Sequence, residues 1–139
     1  MTDLNALCPN WKELCDASRA VRERAWAPYS KYYVGASVLA PTGEIFAGCN
    51  VENASFGLTI CAERVAMCLA VTAGHRIVQA VCISLTGVAV PCGACRQFLH
   101  EFNPEVLILL DDLTQSTEAP PEILRLSELL PRAFRLKHD

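Results

Sequence analysis

Residues 106–110 form an uninterrupted apolar run, VLILL. A strand with one face in water alternates polar and apolar side chains, whereas a strand covered on both faces is apolar throughout. The run therefore predicts an inner strand with helices on both sides of its sheet. Three other segments have the composition of strands: 33–40, 44–49 and 78–85. Pro41, Thr42 and Gly43 predict a hairpin turn between the first two of them.

Helical patterns separate these strands. Residues 11–25 carry apolar or small side chains at steps of three and four, and Asn10 with Glu13 predicts a capping box at their start. Residues 61–73 are apolar on most faces, which predicts a buried helix. Two further helices are predicted: 93–102 and a short one near 127–130. A helix, two strands and then alternating helices and strands predict a layered α/β domain with a mixed sheet.

Composition and charge narrow the classes of function. The chain has 139 residues, 52% of them hydrophobic and 19% charged, which supports a packed core. No repeat or domain boundary interrupts it, so a single domain over residues 1–139 is predicted. The net charge of -3 and the lack of a basic run argue against nonspecific nucleic-acid binding. No apolar stretch reaches the roughly 18–20 residues of a membrane span and no signal peptide is recognised, so we expect a soluble cytoplasmic protein.

Eight cysteines in such a chain are expected to be mostly reduced and to serve packing, metal binding or chemistry. Two motifs stand out, Cys61-Ala62-Glu63-Arg64 and Pro91-Cys92-Gly93-Ala94-Cys95-Arg96, each where a helix is expected to begin. Cys92 and Cys95 have the spacing of zinc ligands, and Cys61 would be the third. A helix N-terminus favours the thiolate form of cysteine. Three protein ligands leave one zinc position open, as in catalytic sites.

Glu63 lies two residues after the first of these ligands. A carboxylate there can take a proton from a water whose pKa zinc has lowered, provided that Cys61 and Glu63 lie in an irregular first turn. Cys68 is two helical turns further on, about 10.5 Å along the axis, and is too far to share the ion. The other four cysteines are interpreted as packing residues: Cys8, Cys15, Cys49 and Cys82. The histidines, His75, His100 and His138, form no ligand spacing.

These motifs resemble the zinc-dependent deaminases, whose signature combines a His or Cys ligand, a nearby Glu and P-C-x-x-C. The segments YSKYYVGASV, GCNVENASFGLTICAER and PCGACRQ are similar to the small cytidine deaminase family, which acts on free nucleosides. The similarity covers about residues 28–110 and returns at 129–134. A cysteine as first ligand points to this branch rather than to the tRNA, polynucleotide or dCMP deaminases.

The resemblance implies a three-layer α/β/α fold with a mixed five-stranded sheet and one zinc ion per subunit. It implies hydrolytic deamination of cytidine and 2′-deoxycytidine to uridine and 2′-deoxyuridine with release of ammonia, in pyrimidine salvage. It also implies a homotetramer with shared active sites. We expect neither polynucleotides nor membranes among its partners.

Roles for individual residues follow from the same resemblance. Cys61, Cys92 and Cys95 would hold zinc, and Glu63 would be the proton shuttle. Arg64 would donate hydrogen bonds to the zinc thiolates and withdraw charge from them. Three thiolates leave Zn²⁺ with a net charge of about -1, so such withdrawal restores its power to activate water.

Seven residues would meet the substrate: Asn50, Glu52, Ala54, Ala62, Tyr32, Phe56 and Phe134. Asn50 and Glu52 would hydrogen-bond the ribose 3′-hydroxyl, which a polynucleotide lacks as a free group. The backbones of Ala62 and Ala54 would meet the pyrimidine edge. Tyr32 would lie along the sugar and base.

The chain departs from the family pattern at three positions. Tyr32 stands where phenylalanine is more usual, and Phe56 replaces a tyrosine and loses a hydrogen-bonding group. Arg132 occupies the usual glycine of the segment LLPRAF. Because only glycine enters positive φ cheaply, a different path toward Phe134 is expected. Phe134 would stack on a base bound in a neighbouring subunit, or else act as a hydrophobic plug in its own.

Three alternatives remain open from the sequence. The chain could deaminate another aminated pyrimidine or a nucleoside antibiotic in the same fold, although Asn50, Glu52 and Asn53 favour ribose recognition. It could be a catalytically silent zinc module, against which the open fourth position argues. A redox protein with a reversible Cys92–Cys95 disulfide is the third.

Overall fold

Five strands form one mixed sheet in the computed structural model, which describes residues 3–88 and 90–138. The strands are β1 (Gly35–Leu39), β2 (Ile45–Cys49), β3 (Ala80–Leu85), β4 (Leu107–Asp112) and β5 (Glu122–Arg125). Their order across the sheet is β2-β1-β3-β4-β5. Strands β3 and β4 run parallel, and the other neighbours run antiparallel. The predicted mixed sheet is confirmed.

Within the described residues, five α-helices accompany the sheet: α1 (Leu4–Leu7), α2 (Trp11–Arg22), α3 (Ala62–Thr72), α4 (Gly93–His100) and α5 (Leu126–Leu129). A short 3₁₀ helix, Phe56–Leu58, lies between β2 and α3. In the part of the chain that the structure describes, no helix combines the length and apolar character that a membrane crossing requires.

The helices form two layers, one on each face of the sheet. Alternate side chains of β1, β3 and β4, such as Val38, Ile83 and Ile108, share one core with α3 and α4. Their neighbours in sequence point the other way and share a second core with α2, represented by Leu14 and Leu109. The predicted three-layer arrangement is therefore confirmed.

Two glycines allow helices to lie unusually close to the sheet. A Cβ atom added at Gly35 would be 1.9 Å from the carbonyl oxygen of Ser18 in α2. A Cβ atom at Gly48 would be 2.6 Å from the amide nitrogen of Ala66 in α3. A real Cβ atom is not found at such distances, so each helix can lie this close to the sheet only because the glycine has no side chain.

Several local predictions were wrong. Helix α2 ends at Arg22 and does not continue to residue 25. Asn10 precedes α2 but makes no side-chain capping bond, because its backbone (φ -90°, ψ 17°) is not extended as in a capping box. Helix α3 is not buried all round, since Cys68 is exposed and Leu69 is 45% exposed.

Two short elements had not been located from the sequence. Helix α1 has four residues and depends on the Asp3 side chain, which accepts hydrogen bonds from the amides of Asn5 and Ala6. Strand β5 has four residues and lies at the sheet edge, where it pairs with β4. Both are too short to show a clear hydrophobic period.

Candidate metal centre and active site

Three sulfur atoms meet where two helices begin. Cys61 immediately precedes α3 and Cys92 immediately precedes α4, both with extended backbones. Cys95 lies in the first turn of α4 and is buried. The Sγ atoms of the three residues all lie within 4.8 Å of one another. The structure thus brings together the three predicted ligands, from segments about 30 residues apart.

The electrostatics of this group favour a bound cation. Arg64 donates a hydrogen bond from Nη2 to the Sγ of Cys61 at 3.4 Å. Hydrogen bonds from the Cys95 thiol and from Arg64 lower the pKa of Cys61 to about 5. For Cys95, the hydrogen bond to Cys61 and the burial of the side chain both raise the pKa. Cys61 is therefore a thiolate near neutral pH, and a metal needs to displace the remaining thiol protons.

The donor set fits zinc. Three thiolate sulfurs are common zinc ligands and leave a fourth tetrahedral position open. Two helix N-termini and the Arg64 guanidinium surround the sulfurs with positive potential, which offsets their charge. The Arg64 Nε atom is buried and has no hydrogen-bond partner among the described residues.

Glu63 is the second residue of α3 and is only 5% exposed. Because Cys61 lies outside the helix, the two side chains need not point to opposite sides, and the required irregular first turn is present. Burial raises the pKa of Glu63, and the charge of Cys61 raises it further. A raised pKa suits a carboxyl group that has to hold a proton as well as release one.

A cavity of about 290 Å³ opens beside Glu63. This is near the lower end of the range for small-molecule clefts, about 300–1,000 Å³. It combines apolar walls with polar and ionisable groups, and twelve residues line it: Tyr32, Val34, Asn50, Glu52, Thr59, Cys61, Ala62, Glu63, Ile83, Leu85, Val90 and Cys92. Ile83 and Leu85 place it at the carboxyl end of β3, where α/β sheets commonly bind ligands.

Asn50 and Glu52 form the polar wall of the cavity. The Asn50 side chain accepts a hydrogen bond from the amide of Val34 at 3.0 Å and donates one to the carbonyl of Tyr32 at 2.6 Å. Glu52 accepts hydrogen bonds from the backbone amides of Tyr29 and Ser30. These contacts hold both side chains in place before a ligand arrives.

Three predicted substrate residues do not line the cavity. Ala54 is exposed in the loop that follows Glu52. Phe56 is 75% exposed, packs edge-on against Tyr29 at a centroid distance of 5.9 Å, and borders a neighbouring depression. Phe134 is 67% exposed, so the alternative that it plugs its own subunit was wrong.

Arg132 adopts a backbone conformation that is uncommon for residues other than glycine. Its φ of 54° lies in the left-handed region that glycine favours. A different path toward Phe134 stays a prediction.

The other cysteines stay apart from the three-sulfur group. Cys8, Cys15 and Cys82 are buried, as expected of packing residues, and Cys49 is half-buried. Cys15 and Cys82 also lie within 4.8 Å of a carboxylate oxygen of Asp111. Arg19 donates a hydrogen bond to each oxygen of that carboxylate, at 2.7 Å each, so the carboxylate is not a free metal ligand.

Several contributors had not been singled out from the sequence. Thr59 and the apolar side chains of Val34, Ile83, Leu85 and Val90 line the cavity. Ser30 contacts Glu52. Ser30 and Val34 had a sequence signal, since they lie within the YSKYYVGASV segment, and so did Thr59, within GCNVENASFGLTICAER.

Comparison with known proteins decides the family. A family model described as the cytidine and deoxycytidylate deaminase zinc-binding region matches residues 10–110, most of the chain. The chain belongs to this family. Cytidine deaminase from Sporosarcina psychrophila is 40% identical over 126 residues, which cover 88% of this chain and 90% of that protein.

Solved structures of the cytidine deaminase family share the fold. Cytidine deaminase from Burkholderia pseudomallei has a TM-score of 0.81 and 40% identity, over 88% of this chain and 97% of its own. The enzyme from Mycobacterium tuberculosis has a TM-score of 0.75 and 36% identity, over 91% and 98%. The predicted family, the class of hydrolytic deaminase and zinc as cofactor are confirmed. A redox pair and a silent zinc module are thereby disfavoured.

Proposed function

We propose that Cys61, Cys92, Cys95 and Glu63 carry the reaction of this chain. The reaction is the zinc-dependent hydrolytic deamination of cytidine to uridine, with release of ammonia. The observation that supports the assignment is the position of Glu63. Its buried carboxyl group lies beside the three-sulfur group on the wall of a cavity of about 290 Å³.

Cys61, Cys92 and Cys95 would hold the zinc ion. Zinc bound there would lower the pKa of a water and so supply a nucleophile at neutral pH. The two helix N-termini and Arg64 draw charge away from the sulfurs, which offsets the weak acidity that three thiolates would otherwise impose.

Glu63 would move the protons. It accepts a proton from the attacking water and delivers it to N3 of the ring as oxygen adds to C4. It then accepts the proton of the hydroxyl group now on C4 and delivers it to the amino group, which leaves as ammonia as the C4 carbonyl forms. Burial supports this role, because it raises the pKa of Glu63 and so makes the carboxyl group more able to hold the proton that it transfers.

Asn50 and Glu52 would bind the ribose 3′-hydroxyl. The amide nitrogen of Asn50 has two N–H groups, and one donates to Tyr32. The other can donate to the hydroxyl oxygen while Glu52 accepts the hydroxyl proton. Since 2′-deoxycytidine keeps its 3′-hydroxyl, we propose it as a second substrate. Tyr32 would lie along the sugar and base, and the backbones of Ala62 and Ala54 would meet the pyrimidine edge.

A homotetramer would complete the site. Phe56 and Phe134 are large aromatic side chains with most of their surface exposed. We propose that Phe134 stacks on a base in a neighbouring subunit and that Phe56 contacts substrate at the same junction. Leu69, on the outward face of α3, is a further apolar side chain that such an assembly would cover.

The remaining assignments concern the whole chain. Residues 1–139 would form a single domain, since both helical layers pack on one sheet. A cytoplasmic location is supported by eight free cysteines, because a reducing compartment keeps such thiols available for metal binding. We propose pyrimidine salvage as the role of the reaction, since its substrate would be a free nucleoside.

The first experiment follows the ultraviolet absorbance of cytidine with the purified protein and checks for uridine by chromatography. Glu63→Gln should keep its zinc and lose about 10²–10⁴-fold in rate, the usual contribution of general acid–base catalysis. Cys92→Ser should lose zinc, whereas the matched control Cys68→Ser should keep both zinc and rate. Near-normal turnover by Glu63→Gln would remove that residue from the mechanism. Zinc without uridine would favour another aminated pyrimidine as substrate.

A further inference from the structure

The Glu52 carboxylate is held by one short turn of the chain. Its Oε1 atom accepts hydrogen bonds from the backbone amides of Tyr29 at 2.9 Å and Ser30 at 3.2 Å. Its Oε2 atom accepts a hydrogen bond from the Ser30 hydroxyl. Ser30 thus contacts both oxygens, one through its backbone and one through its side chain.

The direction of the Ser30 hydroxyl bond is settled by a second contact. The backbone amide of Tyr32 donates to Ser30 Oγ at 3.0 Å. A hydroxyl has one proton, and an ionised carboxylate can only accept. The Ser30 proton therefore points at Glu52, while a lone pair of its oxygen receives the Tyr32 amide.

The same turn also holds Asn50. The carbonyl of Tyr32 accepts the Asn50 side-chain amide at 2.6 Å. Lys31, between Ser30 and Tyr32, has a φ of 60°, which is uncommon for a residue other than glycine. The amide of Lys31 donates to the carbonyl of Ala27 at 3.0 Å. The left-handed backbone at Lys31 lets residues 29–32 present two amides and a hydroxyl to Glu52 and a carbonyl to Asn50.

We propose that Ser30 is a positioning residue, whose hydroxyl orients the Glu52 carboxylate toward the 3′-hydroxyl of the nucleoside. Ser30 itself does not line the cavity that Glu52 lines. With its Oε1 atom engaged by two backbone amides, Glu52 can rotate only within limits, and the bond to Ser30 fixes the remaining oxygen. Ser30 thereby sets how strongly the site prefers a free 3′-hydroxyl. The inference rests on the proposed contact between Glu52 and that hydroxyl.

The test compares cytidine with 3′-deoxycytidine in steady-state kinetics. For Ser30→Ala, KM for cytidine should rise about tenfold, the order expected when one hydrogen bond to a charged group is misplaced, with kcat little changed. The values for 3′-deoxycytidine should stay near those of the wild type. Ser30→Thr, which keeps a hydroxyl, should restore most of the preference for cytidine.

The matched control is Ser127→Ala. Ser127 is also an exposed serine that donates to a glutamate, Glu105, at 2.9 Å, and neither residue lines the cavity. Ser127→Ala should leave KM and kcat unchanged for both nucleosides. Thermal unfolding of each variant checks the fold, and Ser30→Gly replaces Ser30→Ala if the latter does not fold.

The outcomes separate the inference from the function on which it rests. If Ser30→Ala loses activity equally toward both nucleosides, or toward neither, Ser30 does not position Glu52 and the inference is overturned. If the wild type turns over both nucleosides equally and Glu52→Gln changes nothing, the proposed contact of Glu52 fails, and the inference fails with it. If the wild type produces no uridine, the proposed function itself is wrong.

Discussion

The guanidinium of Arg64 lies 3.4 Å from the sulfur of Cys61, with Nη2 donating to Sγ. The two residues are three apart in sequence, one ahead of α3 and one in its first turn. The same turn carries Glu63, so one helix start supplies a sulfur, its cationic partner and a buried carboxyl group. The chemistry of this site is thus concentrated in four consecutive residues, and α4 adds two more sulfurs.

Arg64 is expected to strengthen zinc binding and to raise the rate of deamination. Arg64→Ala should weaken zinc binding by about 10–100-fold, the usual effect of losing a partner of a metal ligand, and the rate of deamination should fall with it. Arg64→Lys should recover only part of the zinc affinity and of the rate, because an ammonium cannot reproduce the planar donor set of a guanidinium. Competition with a chelator measures the affinity.

The control for Arg64 is Arg76→Ala. Arg76 lies beyond the other end of the same helix and donates to the carbonyl of Val71 at 2.9 Å. Its removal should leave zinc affinity unchanged. An equal affinity in Arg64→Ala and the wild type would show that Arg64 does not act on the metal.

The reactivity of Cys61 should depend on pH in the metal-free protein. Its pKa is lowered to about 5, so the sulfur is protonated and unreactive below that pH and a nucleophilic thiolate above it. Alkylation followed by mass spectrometry should therefore show a midpoint near pH 5. An ordinary cysteine reacts with a midpoint near about 8.5.

Arg64→Ala provides the comparison for that titration. Removing the guanidinium removes one of the causes of the lowered pKa, so the midpoint for Cys61 should move to higher pH. A midpoint near that of an ordinary thiol in the unmodified chain would contradict the predicted thiolate.

Gly35→Ala should destabilise the fold. The added Cβ atom would meet the carbonyl oxygen of Ser18 at 1.9 Å, and this oxygen is a backbone atom of α2 rather than the end of a flexible side chain. Forcing extra volume into a packed core typically costs about 1–3 kcal/mol, and a collision with backbone belongs at the upper end. Urea unfolding measures the loss.

Gly57→Ala is the matched control, since a Cβ atom there would meet nothing within 4 Å. Its free energy of unfolding should stay close to that of the parent chain. Equal stability of the two variants would mean that α2 can shift away from β1 at little cost.

Local patterns in the sequence determined most elements and the chemistry of each motif. The apolar runs of β3 and β4 and the Cys92-x-x-Cys95 spacing are readable because neighbouring residues in a strand or helix have fixed geometry. The position of Glu63 two residues after a predicted ligand was readable too, but its use depended on an irregular first turn, which the structure shows. The predicted roles of these residues rest on such short-range geometry together with the family resemblance.

Only the tertiary structure decided which distant groups meet. Cys61 joins Cys92 across 31 positions because α3 and α4 pack on the same face of the sheet. Ser30 reaches Glu52 because a turn with a left-handed residue folds over it, and Arg132 holds a positive φ that its side chain does not suggest. Strand β5, at the edge of the sheet, forms by pairing with β4. These features depend on long-range packing and pairing energies, which no local sequence period records.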